Sequence, residues 1–153
     1  MQPRLDAFAT APELIQPMLA MENAVKKSGL ELGLIELIKL RVSQINGCAY
    51  CVHMHTNDAR RMGESEDRLH LLTAWRESPL YSDRERAALA WAETLTRIEQ
   101  THAPDAVYDE MAAHFAAHEQ VALTLSITTI NAWNRLAIGF RTIHPVAREA
   151  LSA

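Results

Sequence analysis

The sequence predicts an all-α protein, and three observations carry that reading. Among 153 residues there are only 5 Gly and 6 Pro, so the strongest helix breakers are scarce. Ala, Leu and Glu, which lose little conformational freedom in a helix, recur throughout. No stretch longer than a few residues alternates apolar and polar positions with the period of two that a half-buried strand requires. With 48% hydrophobic residues the chain can build a core without disulfide staples, and one domain spanning 1–153 is expected.

The elements follow in order. Pro12 opens a first helix that runs through about Val25, and Gly29 can stop it by adopting a left-handed conformation. A second helix is expected from about Glu31 to Gln44. Asn46-Gly47 is a turn signal between two helix-favouring runs, so a third helix starts there, with Cys48 in its first turn, and continues to Gly63. Ser65 to Trp75 reads as another helix. Ser78-Pro79 interrupts the pattern, after which Ser82 and Glu85 have capping-box spacing for a helix from Asp83 to about Gln100. Pro104 suits the first turn of a helix reaching Phe115. The last long helix, from about His118 to Arg141, is apolar on almost every face, which predicts burial against neighbours, including another subunit. Pro145 ends the pattern.

Bulk charge narrows the function. Lys and Arg total 15 against 19 Asp and Glu, a net charge of -4, and no basic run could track a phosphate backbone, so a nucleic-acid partner is not expected. Val121 to Phe140 has the length of a membrane span, but Asn131, Asn134 and Arg135 would be costly in hydrocarbon. No membrane association is expected. The N-terminus lacks a basic start followed by an apolar stretch, and the expectation is a cytoplasmic protein.

Only two cysteines occur, and they stand three positions apart, the wrong arrangement for a staple closing a long loop. Cys48, Cys51 and His55 are spaced i, i+3 and i+7, which lines them along one helical face. Unsatisfied N–H groups and the positive dipole end at a helix N-terminus favour a thiolate over a thiol. His55, one turn beyond Cys51, can accept the thiol proton. Glu36 lies in the apolar run Leu34-Ile35-Glu36-Leu37-Ile38, where a carboxylate facing inward needs a proton or a partner, and it can orient His55 or pass its proton onward. His53 and Tyr50 point off this line and belong at the rim of any pocket.

Competing chemistries fit less well. Zinc held by Cys48, Cys51, His53 and His55 would need a tetrahedron that one continuous helix cannot supply. A c-type haem attachment needs His directly after the second Cys, where Val52 stands. His114 and His118 form an i, i+4 pair without the Glu of a metalloprotease helix. No metal or cofactor is expected. Trp75 and Trp91 fit core positions, and Trp133, Asn134 and Arg135 read as structural, with Arg135 pairing an acidic residue across a subunit contact.

Glu36, then Cys48-Ala-Tyr-Cys51-Val-His-Met-His55, then Ala59-Arg60 and Gly63, resembles the core motif of the alkylhydroperoxidase AhpD-like family, which is grouped with the carboxymuconolactone decarboxylases. The pattern E-x11-C-x2-C-x3-H covers about Leu30 to Gly63, and Asn131-Ala-Trp-Asn-Arg135 resembles a segment near the C-terminus of small members. The resemblance implies a helical bundle assembling into homo-oligomers, trimers or hexamers, with peroxiredoxin-like activity on hydroperoxides. It also implies a relay in which Glu36, His55 and Cys48 assist Cys51 as the attacking thiolate, with Cys48 resolving. Position on the helix alone favours Cys48, nearer the N-terminus, as the attacker. A dithiol partner, such as a dihydrolipoyl or thioredoxin-like protein, is the implied reductant. Lactone decarboxylation and a non-catalytic redox sensor are the competing functions.

Overall fold

The structure, a computed structural model, describes residues 2–145. Its elements are α1 (Ala7–Thr10), α2 (Pro12–Lys26), α3 (Leu32–Asn46), α4 (Ala49–Arg61), α5 (Glu66–Leu71), a 3-10 turn (Leu72–Ala74), α6 (Asp83–Thr96), α7 (Ile98–Thr101), α8 (Asp105–His114) and α9 (Ala117–Phe140). No strand occurs among the described residues, and the fold is all-α.

Helix α3 is the axis of the molecule. It packs against α4, α6 and α9, and from Leu34 to Ser43 every residue except Arg41 is buried. A helix buried on all faces must find a partner for each polar side chain it carries. On α3 these partners come from four directions. Glu36 meets His55 of α4, Lys39 pairs with Glu22 of α2, Arg41 donates to Glu93 of α6 at 2.7 Å, and the Ser43 hydroxyl accepts from Asn134 of α9 at 3.1 Å. Ordinary apolar packing fills the rest: Ile35, Ile38, Leu123, Ile127 and Ile130 form one core cluster, while Leu37, Leu40, Leu72, Trp75 and Leu89 form a second.

Local signals explain most boundaries. The Ser82–Glu85 capping box is present at the start of α6. Gly63 is left-handed at φ +90°, and the bond from Glu64 N to Ala59 O at 3.0 Å closes the end of α4, the geometry a C-terminal glycine permits. The structure departs from the sequence reading at several ends. Cys48 is the N-cap of α4 rather than a member of its first turn, and Pro104 is likewise the N-cap of α8. The helix expected from Ser65 to Trp75 tightens into a 3-10 turn at Leu72. The helix expected to reach Gln100 breaks at Arg97 (φ −110°, ψ 39°), where the Thr101 hydroxyl takes the Thr94 carbonyl at 2.8 Å.

Two differences bear on the site. Helix α1 has no apolar period to announce it; it forms because the Asp6 carboxylate accepts from the amides of Phe8 and Ala9. Just ahead of it, Arg4 donates from its amide to Phe140 O and from its guanidinium to Gly139 O, both at 2.9 Å, satisfying carbonyls at the open end of α9. Helix α9 itself is buried along one face, through residues such as Leu123, Ile127, Ile130 and Asn134, while Val121 and Ile138 are exposed. Its uniform apolarity does not translate into burial on every side of this chain. No helix among the described residues is long and apolar enough to cross a membrane.

Candidate active site

The site is assembled at the junction of α3 and α4. Gly47 takes a left-handed conformation (φ +71°) and turns the chain. Cys48 N then donates to Ser43 O at 3.0 Å, anchoring the residue that caps α4. Its Sγ accepts from Cys51 N at 3.3 Å, and the two cysteines are joined as a disulfide with Cα atoms 5.4 Å apart. Both are buried.

One turn further along, His55 is 5% exposed and its Nδ1 lies 2.7 Å from Glu36 Oε2. Burial pushes the Glu36 carboxyl up, but the hydrogen bond from His55 and the charges of His55, Lys39 and Lys26 outweigh it and hold the group below its ordinary value. Glu36 is therefore an acceptor at neutral pH. With the Glu36 carboxylate accepting, Nδ1 is the donor of this bond, and Nε2 is the ring nitrogen that Glu36 does not engage. His55 Nε2 is buried and has no hydrogen-bond partner among the described residues.

A cavity of about 620 Å³ opens onto these groups. Cys51, His55 and Glu36 line it, whereas Cys48 does not. Its walls are mainly apolar, with Leu19, Met54, Trp133, Leu136 and Phe140 among them. Phe8 of α1 closes one side by stacking on Trp133, ring centroids 5.9 Å apart and planes 3° from parallel. A concave, largely apolar site with a few convergent polar groups is the ordinary form of a small-molecule pocket.

The structure thus brings Glu36, Cys48, Cys51 and His55 together. Tyr50 also lines the cavity, but His53 does not; its ring stacks on that of His144 with centroids 5.0 Å apart. Asn134 is structural as read, donating to Ser43 Oγ and accepting from Asn46 Nδ2 at 2.8 Å. Arg135 bonds within its own helix, to Asn131 O at 2.8 Å and Asn131 Oδ1 at 3.1 Å. Sequence reasoning missed Glu22, Lys39 and Asp58, all of which line the cavity. Lys39 was the one with a legible signal, a charge three residues after Glu36 in the same apolar run.

Glu36, His55 and Asp58 each bring one donor atom within 4.8 Å of the others. The donor set does not suit a metal: Glu36 is spent on His55 Nδ1, and Asp58 is bound by Arg61 at 2.9 Å.

The chain is similar in sequence and fold to several known proteins. The uncharacterized protein YdfG of Bacillus subtilis is 44% identical over 138 residues, which is 90% of this chain and 94% of that protein. A crystal structure of an Agrobacterium tumefaciens protein of unknown function, described as a candidate antioxidant defence protein AhpD, superposes with a TM-score of 0.92 at 46% identity, covering 95% of this chain and 100% of that one. An uncharacterized peroxidase-related protein from Silicibacter sp. TM1040 superposes with a TM-score of 0.80 at 25% identity, covering 92% of this chain and 74% of that one. The model of the carboxymuconolactone decarboxylase family matches residues 12–94, which include Glu36, both cysteines and His55, and this all-helical chain with its AhpD-like core belongs to that family.

Proposed function

We propose that this protein is a thiol-dependent peroxidase that reduces hydroperoxides through a Cys48/Cys51 dithiol–disulfide cycle. The observation that carries the reading is the asymmetry of the pair: Cys51 lines the cavity beside His55, and Cys48 does not. A substrate entering the cavity meets Cys51 first. The names of two structural relatives, one tied to antioxidant defence and one to peroxidases, point the same way.

In the reduced protein His55 Nε2 accepts the Cys51 thiol proton while Glu36 stabilises the resulting imidazolium. The Cys51 thiolate attacks the terminal peroxide oxygen. The O–O bond breaks, the alkoxide takes the proton from His55 and leaves as an alcohol, and Cys51 becomes a sulfenic acid. The Cys48 thiol then attacks Cys51, expelling water and forming the disulfide. A dithiol reductant returns the pair to two thiols, its own sulfurs leaving as a disulfide. The short Cys48–Cys51 separation and the N-cap position of Cys48 suit resolution without rearrangement of α4.

Intact-mass analysis of the reduced protein before and after one equivalent of cumene hydroperoxide tests this. The expected outcome is loss of two hydrogens in the wild type, one added oxygen in Cys48→Ser, and no change in Cys51→Ser. No mass change in the wild type, with both thiols still open to an alkylating reagent, would remove the peroxidase reading.

A further inference from the structure

The relay uses one of two buried charges that α3 presents to the cavity. The other is Lys39, only 2% exposed, which pairs with Glu22 of α2. Lys39 follows Glu36 by three residues, a spacing that sets both on one side of the helix, and Glu36, Lys39 and Glu22 all line the same cavity. Burying an ammonium and a carboxylate costs more than filling the same space with apolar side chains, so the pair calls for an account beyond packing.

Among the described residues, the charged side chains that line the cavity with Glu36 can be named. From α4 come His55 and Asp58; from its own helix, Lys39; from α2, Glu22 and Lys26; and from the segment ahead of α1, Asp6. Helix α9 faces the cavity with uncharged residues, including Ile130, Trp133 and Ala137. Glu93 of α6 is engaged by Arg41, Arg76 and Trp75 and does not line the cavity. Asp6, Asp58 and Glu22 line the same cavity with charge of the same sign as Glu36, and a like charge nearby disfavours ionisation. The positive charges that favour it, besides His55, are Lys39 and the exposed Lys26. A buried charge is screened by solvent far less than an exposed one, so Lys39 is the stronger lever.

We propose that Lys39 and Glu22 are positioning residues for the proton relay: Lys39 keeps Glu36 ionised so that it holds His55 with Nδ1 protonated and Nε2 free, and Glu22 limits the strength of that field. The pair therefore sets the pH range over which Cys51 can be activated. This rests on the relay described above, but not on a hydroperoxide being the substrate.

The two partners act on Glu36 with opposite signs, which gives a test that a merely structural role would not satisfy. The carboxyl carbon of Glu36 is followed by NMR titration in the disulfide form of the wild type, Lys39→Met and Glu22→Gln, with Glu36→Gln used only to assign the signal. In Lys39→Met, where the cation is gone and Glu22 remains, the Glu36 midpoint is expected to rise by about one pH unit. In Glu22→Gln, where Lys39 acts unopposed, it is expected to fall by roughly half a unit. An unmoved midpoint in both variants, or movement in the same direction in both, overturns the proposal. If Lys39→Met does not fold, Glu22→Gln decides alone: a fall supports the proposal and no fall overturns it. The rate at which iodoacetamide alkylates the reduced protein, measured against pH, should shift in the same two directions. Neither readout uses a peroxide, so failure of the peroxidase reading and failure of this one are separable.

Discussion

Asn46 Nδ2 donates to Asn134 Oδ1 at 2.8 Å, tying the residue two places before Cys48 to the last long helix. Asn134 is 1% exposed, and its Nδ2 donates in turn to Ser43 Oγ at 3.1 Å. Asn46 makes a second bond, to Asn131 Oδ1 at 3.0 Å. The loop that presents Cys48 is thus pinned by α9 through amide side chains, in a buried place where polar groups left unpaired are expensive. Replacing Asn134 by Leu removes the donor to Ser43 Oγ, which keeps its own bond to Lys39 O, and one of the two bonds from Asn46, and a loss of about 1–2 kcal/mol in unfolding free energy is expected. Urea denaturation of the two proteins measures it; a loss below half a kilocalorie would mean the network relaxes onto other partners.

Cys48 caps α4 through its sulfur, which accepts from Cys51 N. Serine is among the favoured N-cap residues, so Cys48→Ser should keep the helix start intact, whereas Cys48→Ala should cost about 1 kcal/mol when both are compared with reduced wild type. Thermal unfolding under reducing conditions distinguishes the two. Equal stability of both variants would show that the cap contributes nothing.

Among the described residues, Glu36 is the only carboxylate bonded to His55. A glutamine there cannot stabilise the imidazolium, and its amide nitrogen can face His55 instead, favouring the wrong tautomer. In Glu36→Gln, kcat/KM with an organic hydroperoxide is expected to fall by roughly 10²–10⁴, in the range for loss of proton-transfer assistance. Circular dichroism should show unchanged helix content, and activity within threefold of wild type would remove Glu36 from the relay.

Glu93 predicts an acid-sensitive fold. Burial pushes its carboxyl up, but hydrogen bonds from Trp75, Arg76 and Arg41, with the Arg41 charge, hold it below its ordinary value. A carboxylate depressed by folding adds stability that is complete above its unfolded value, roughly pH 4.3, and lost as the pH falls through the lower folded value. Glu93→Gln, which leaves the partly buried Arg41 without its anion, should cost about 3 kcal/mol near neutral pH. That gap should narrow in urea titrations carried below pH 4, as the wild-type carboxylate is itself protonated. A gap constant across the whole range would assign the loss to packing rather than charge.

How much of the site could be read in advance depends on how far apart its parts lie in sequence. Cys48, Cys51 and His55 share one helix, and helical spacing alone aligns them. Glu36 is separated by a turn, and its prospect of meeting His55 followed from a carboxylate placed among apolar residues needing a partner. Glu22 and Phe8 reach the same cavity from elements with no local mark of it, and only packing brings them there. Helix α1 was invisible for a similar reason: four residues carry too little periodicity, and what holds them is a cap at Asp6 and the anchoring of Arg4 on α9.

The sequence by itself determined the helical class, the order of the long helices and the linear redox motif, because periodicity, caps and i, i+3, i+7 spacings are properties of neighbours along the chain. The tertiary structure decided which cysteine faces the cavity, that Asn134 fastens the cysteine loop, and that Lys39 and Glu22 line the same cavity as Glu36 and His55. Those outcomes depend on how helices distant in sequence rotate against one another when α3 is buried on every side. That rotation is chosen by the summed packing of the core and the partners found for each buried charge, which no local stretch of sequence contains.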